Sequence, residues 1–331
     1  MRELMRFEYR KLFRARVLYV CTGIMILLVL LFAGTEKLIE SVAEQMQETY
    51  IVSDYSDGEL PPDMAGLVNG TEDAAGLVPG ADNASAVTIP GAEDASAVTI
   101  PGAAEEQGGM AVTEEQMDVA ARESLGMSLD ADTGVGRMLA ALSNVYVVVI
   151  LGVFTAVFIC GDFGNAVVKN IITKGYTRKE IFFAKHFITL IACEGMALVS
   201  MIAGFLCGVL MWGNVGEWSL KVLGLILLQL LLVAAFHALF SFLAFALKRV
   251  GTAMAIAIAI PVGMSLVLTL VDLLINNPDF QLSRFWLDSG LTDAAKLSSS
   301  GSDLLISALC GAAYLAVFTL LGYLSARKRE V

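Results

Sequence analysis

Histidine is almost missing from this chain: His186 and His237 are the only two in 331 residues. That excludes a histidine-rich metal site and the H-E-x-x-H helix of zinc hydrolases. No G-x4-G-K-[ST] phosphate loop occurs, so the chain does not bind ATP in that way, and no G-x-S-x-G nucleophile turn is present. The sequence therefore offers no catalytic, cofactor-binding or metal-ligating set. Cysteine is sparse as well. Cys21, Cys160, Cys193, Cys207 and Cys310 all lie in or beside apolar runs without C-x2-C spacing, so they read as small buried hydrophobes. Charge is the third scarcity, at 17% of residues against 56% hydrophobic, with a mean hydropathy of +0.71. Those values exclude an ordinary soluble domain and predict an all-α polytopic membrane protein.

Six apolar runs carry that expectation: 17–34, 139–160, 181–212, 220–247, 252–275 and 304–324. At about 1.5 Å per residue each can cross a hydrocarbon core of about 30 Å. Orientation follows from lysine and arginine. Residues 1–16 hold six of them, the 161–180 connection has Lys169, Lys174, Arg178 and Lys179, and Lys185 follows just inside the third run. Lys248 and Arg249 join the fourth and fifth runs, and the tail 325–331 has Arg327, Lys328 and Arg329. The alternate connections, including 276–303, are poor in basic residues, so both termini are expected in the cytoplasm. A cleaved signal peptide would share the basic start, but "LFAGTE" is a poor cleavage site. Residues 1–16 are expected to form an interfacial amphipathic helix, with Met5, Tyr9, Leu12 and Phe13 on one face.

The charge is unevenly divided. Residues 35–138 hold 21 acidic residues against three basic ones, Lys37, Arg122 and Arg137, a net of −18, whereas the rest of the chain carries +7. This segment is expected outside the membrane. It contains an 11-residue repeat at 79–100, "PGADNASAVTI" then "PGAEDASAVTI", too short and polar to bury a core. Its flanks, 36–50 and 113–127, have helical spacing and are expected to extend the first two spans. Inside the spans, Glu194, Gln229 and His237 are polar groups at membrane depth, where such groups are costly in lipid and read as a translocation path. Glu194 is the candidate for lining a pathway or for pairing with His237 across spans, the alternative being a structural hydrogen bond within the bundle.

The stretch "GDFGNAVVKNIITKGYTRKEIFFAK", residues 161–185, is longer than a connection needs. Val167, Val168, Ile171 and Ile172 share a helical face, with Lys169, Asn170 and Lys174 around it, which predicts a short surface helix over 164–174. Gly175 supplies its stop. Thr177-Arg178-Lys179-Glu180 forms a capping box, and Tyr176 with Ile181 a hydrophobic staple, so the angle into the next helix is specified.

In this order, Asp162, Gly164, Lys169-Asn170-Ile171, Gly175, Thr177-Arg178 and Lys185 resemble the region after the second span of ABC-2-type transporter permeases. The basic amphipathic N-terminus and six spans are similar more loosely; the long acidic insertion departs from compact members. The resemblance implies a non-catalytic permease subunit in a bacterial plasma membrane. It also implies a second permease copy, homodimeric or heterodimeric, lipid around it, and a cytoplasmic ABC ATPase dimer that binds ATP and Mg. Segment 164–174 would then be the coupling helix, with Asp162, Gly164, Val167, Lys169, Asn170, Ile171, Gly175, Tyr176, Thr177, Arg178 and Glu180 transmitting force. The cargo would be a peptide-like or amphipathic compound, such as an antimicrobial peptide. No nucleic acid is expected as partner. The alternative from the residues alone is a membrane scaffold or sensor that binds a ligand through its acidic external region.

Overall fold

The computed structural model describes residues 2–54, 132–164, 167–275 and 281–328. Among these the regular structure is all helical, with no strand. It divides into two units, Met1–Lys37 with Val119–Val331, and Leu38–Asp118. Of the second unit, the described residues are its helical start, to Asp54. The elements are α1 (Arg2–Arg14), α2 (Arg16–Asp54), α3 (Gly134–Ala140), α4 (Val145–Gly164), α5 (Val167–Thr173), α6 (Arg178–Trp212), α7 (Leu220–Leu247), α8 (Val250–Ile275), a 3-10 turn (Leu282–Phe285), α9 (Leu287–Ala294) and α10 (Gly301–Lys328). Six of them, α2, α4, α6, α7, α8 and α10, are long and apolar enough to cross a membrane. This is the layout of a multi-pass membrane protein. The 79–100 repeats and the 113–127 flank lie outside the described residues, whereas the 36–50 flank continues the first span as one helix.

Helices α4 and α7 form the centre: each buries 61% of its apolar stretch, against 11% for α10 and 17% for α8. Their apolar side chains meet in one core that includes Phe154, Leu225, Leu232, Phe236 and Phe240. The outward faces of α8 and α10 stay apolar, with Leu266, Leu270, Leu305 and Leu309 exposed. Such an all-round apolar helix suits a lipid surround rather than water. Helix α8 runs through Pro261, whose carbonyl accepts from the Ser265 hydroxyl at 2.9 Å.

The second span departs from expectation. It does not begin at residue 139; the chain breaks at 141–144 and α4 starts at Val145. Thr133 caps the separate helix α3 by accepting from the Gly136 amide at 3.0 Å. At its other end the Ser143 amide turns back to Ala140 O at 3.2 Å, and the Ser143 hydroxyl donates to the same carbonyl at 2.8 Å. Apolarity alone hid this break, because Ser143 and Asn144 are too few to interrupt a hydropathy average.

Helix α3 lies against the end of α6 through two glycines one turn apart. A Cβ at Gly204 would sit 2.7 Å from Arg137 O, and one at Gly208 would sit 2.8 Å from Gly134 Cα. Small residues four apart let backbones approach closely, a packing mode common between membrane helices. Arg137, buried on α3, pairs with Glu36 and stacks over Trp212 at 4.3 Å.

Candidate functional site

The end of the bundle where the chain enters gathers α1, the last turn of α4, α5 and the first turns of α6. The joint between α5 and α6 forms as the residues dictate. Gly175 takes φ +88°, a left-handed conformation that L side chains resist. Thr177 accepts from the Glu180 amide at 3.3 Å, and the Glu180 carboxylate accepts from the Thr177 amide at 2.9 Å, completing the capping box. Tyr176 and Ile181 belong to one apolar cluster with Leu4, Val168, Ile171 and Ala184. Helix α5 thus seats Val168 and Ile171 inward against α1 and α6. Its opposite face exposes Lys169, Asn170, Thr173 and Lys174. That polar, basic face is the exposed side of the joint.

Above this joint sits a buried ionic cluster. Lys185 of α6 is fully buried, 3.0 Å from Glu8 of α1, and also pairs with Asp162 of α4. Asp162 pairs in addition with Lys11, which lies 4.0 Å from Glu8. Two carboxylates face two ammonium groups, so the group is neutral, and the Phe158 ring lies 4.8 Å from Lys11. Burial and the nearby Lys185 ammonium pull the Lys11 ammonium below its usual value, against the opposing pull of the Asp162 hydrogen bond. Lys185 is seven residues past the start of α6, about 10 Å along its axis. The cluster therefore fastens three helices together roughly two turns from the joint.

One sequence expectation changes at this end of the bundle. Asp162, grouped with the residues that meet a partner, is buried and points into the cluster, so it acts inside the protein. Helix α1 buries Leu4, Glu8 and Leu12 against the protein, while Tyr9 and Phe13, rings tilted to each other at 4.8 Å, stay exposed. Glu8 can lie in that buried stripe because Lys185 pairs with it at 3.0 Å; a buried charge left unpaired would be strongly destabilising. Gly164 is the last residue of α4. Arg178 opens α6.

The three residues read as a path through the membrane do not come together. His237 Nε2 lies 2.8 Å from the Thr189 hydroxyl, and its ring is 4.9 Å from His186, which meets Ser241 at 3.1 Å. The Glu194 carboxylate has no hydrogen-bond partner among the described residues, so the expected Glu194–His237 pair is absent. Gln229 is buried and donates to Leu139 O at 2.7 Å. The break after α3 explains it: the Ser143 amide turns to Ala140, which leaves the Leu139 carbonyl without its helical donor. An unpaired carbonyl at membrane depth costs several kcal/mol, so the amide side chain serves the backbone rather than cargo.

A family described as a protein of unknown function, DUF2705, matches residues 125–331. The chain belongs to the DUF2705 family. No curated protein matches the chain. The DUF2705 match includes spans two to six and the whole α5–α6 joint, with Asp162 and Lys185. It leaves out α1, and with it the two members of the ionic cluster, Glu8 and Lys11, that come from the N-terminus.

Proposed function

We propose that the chain is the permease subunit of an ATP-driven exporter of the ABC-2 type, with both termini in the cytoplasm. The reading rests on one observation above all: α5 is a short helix with a specified angle to α6 and an exposed basic face. A connection that merely joined two spans would need neither the left-handed glycine nor the capping box. On this reading α5 is the coupling helix and seats in a groove of a separate ATPase subunit dimer, which binds ATP and Mg. A second permease copy, identical or not, completes the pathway in a bacterial plasma membrane.

The force route follows from the packing. Displacing α5 moves Val168 and Ile171 against Leu4, Ile181 and Ala184. The capping box resists hinge opening at Thr177, and the ionic cluster carries the movement from α6 into α1 and α4 together. The three helices then tilt as one body rather than shearing apart. The chain itself does no chemistry; it converts closure of the ATPase dimer into helix motion. Cargo of peptide-like or amphipathic character would cross between the two permease copies.

A photo-crosslinking residue placed at Lys169 tests this. The result expected is a covalent adduct with a protein that carries a phosphate loop, formed from Lys169 and lost when the crosslinker is moved to exposed Leu309 on α10. An adduct with no such ATPase, at any exposed position of α5, would defeat the proposal.

A further inference from the structure

The outward face of α1 is left unused by the coupling route. The helix is held to the protein on one side by Leu4, Glu8 and Leu12, with Glu8 paired to Lys185. Away from that side, Arg2, Arg6, Arg10 and Arg14 recur every fourth residue, a row with steps of about 6 Å along the helix. All four are exposed, as is Arg16 at the start of α2, and none of the five pairs with an acid among the described residues. Glu3 is the one exposed acid of α1. Arg6 and Arg10 stand about 160° round the helix from Glu8. Aromatic rings flank them, Phe7 on one side and Tyr9 with Phe13 on the other, each about half exposed.

The position of α1 limits what can meet this face. Its last residue, Arg14, is separated from the first span by Ala15 alone. The corner is tied by three hydrogen bonds. The Ala15 amide donates to Leu12 O at 3.1 Å, the Leu18 amide to Ala15 O at 3.1 Å, and the Tyr19 hydroxyl to Phe13 O at 3.0 Å. At the other end of α1, Leu4 packs with Ile181 and Ala184, in the first two turns of α6, itself long enough to cross a membrane. Both ends of α1 therefore lie at the starts of spans, and the helix runs along the level where hydrocarbon gives way to headgroups. Arginine with tyrosine and phenylalanine suits that layer: the rings lie at the boundary of the acyl chains while guanidinium groups grip phosphate in pairs of hydrogen bonds. A soluble acidic partner would account for the arginines. It would leave unexplained why Phe7, Tyr9, Phe13 and Tyr19 all present their rings beside a span.

We propose that the outward face of α1 binds the headgroups of anionic phospholipids. Arg6 and Arg10 donate to the lipid phosphates, Arg14 and Arg16 add charge nearest the span, and Phe7 and Phe13 rest on the upper acyl chains. Five arginines against Glu3 leave a surplus of four positive charges. A zwitterionic lipid carries its own ammonium beside the phosphate and neutralises little of that surplus, whereas a lipid with net negative charge answers it. The helix is then held from both sides, by lipid outside and by the Glu8–Lys185 pair within, so the charge of the surrounding lipid sets how firmly α1 stays on α6. The surface needs neither an ATPase nor cargo. Its failure would leave the coupling reading standing, and the reverse also holds.

The test uses the full chain in phosphatidylcholine vesicles, with Phe13→Trp as a reporter read above the background of the three native tryptophans. Phosphatidylglycerol brominated on its acyl chains quenches the reporter where it gathers at α1, and brominated phosphatidylcholine gives the unselective reference. The expected result is a preference for phosphatidylglycerol of about tenfold or more at low salt, reduced by added salt. Arg6→Gln and Arg10→Gln should each lower it about fivefold, whereas Arg6→Lys and Arg10→Lys, which keep the charge, should retain most of it. Tyr9→Trp serves as a second reporter, in case Phe13→Trp disturbs the corner, and should show the same preference. Equal quenching by the two brominated lipids at both reporters, or a preference unchanged by Arg6→Gln with Arg10→Gln, would overturn the proposal. Relief of the quenching by soluble polyglutamate would assign the face to an acidic protein and overturn it as well.

Discussion

Lys185→Met is the most exposing single change to the basic end of the bundle. Methionine keeps an unbranched, flexible stem of similar reach, so the change removes charge with little loss of volume. What remains is two buried carboxylates, Glu8 and Asp162, with Lys11 as the one cation left in the cluster. Lys11 has a side chain 30% exposed and lies 4.0 Å from Glu8. One buried negative charge is thus uncompensated, a circumstance that costs about 3–5 kcal/mol when a buried pair is broken from one side. Adding Glu8→Gln restores neutrality, with Asp162 still facing Lys11, and should recover most of that loss. The double variant is therefore more stable than Lys185→Met alone, a coupling of about 1–3 kcal/mol between contacting residues. Unfolding in mixed micelles, followed by far-ultraviolet circular dichroism across the four members of the cycle, measures it. A wild-type-like midpoint for Lys185→Met, or additive losses in the double variant, would refute the cluster as a neutral, mutually dependent unit.

A further perturbation probes the packing of α3. Gly208→Val places side-chain atoms where a Cβ alone already meets Gly134 Cα at 2.8 Å, so α3 must move off α6; the expected loss is about 1–3 kcal/mol, and Trp212 fluorescence should shift as Arg137 leaves its ring.

The helical course and the α5–α6 joint were legible in the sequence because they depend on neighbours. Hydropathy reports whole spans, and Thr177, Glu180 and Gly175 act within a few residues of one another. What stayed hidden depends on distant partners. Glu8 looks like one acid among arginines until Lys185, 177 residues away, is placed beside it. Gln229 looks like a lining residue until the break at Ser143 frees the Leu139 carbonyl that it serves. Likewise His237, one of only two histidines, turns to Thr189 and His186 rather than to Glu194. Gln229 and His237 were visible as anomalies and Glu8 was not, but in each case the partner was set by tertiary packing.

Transmission of force from a partner ATPase through the joint at Thr177 is the step on which the proposed function stands. ATP hydrolysis by the purified complex reads it out, comparing wild type with Thr177→Ala/Glu180→Ala. The double variant removes the cap and leaves every buried contact of α6 in place. If the joint transmits force, the complex still assembles and inserts, while hydrolysis no longer responds to the permease as it does in wild type. Hydrolysis that responds equally in both would contradict a mechanical role for the joint.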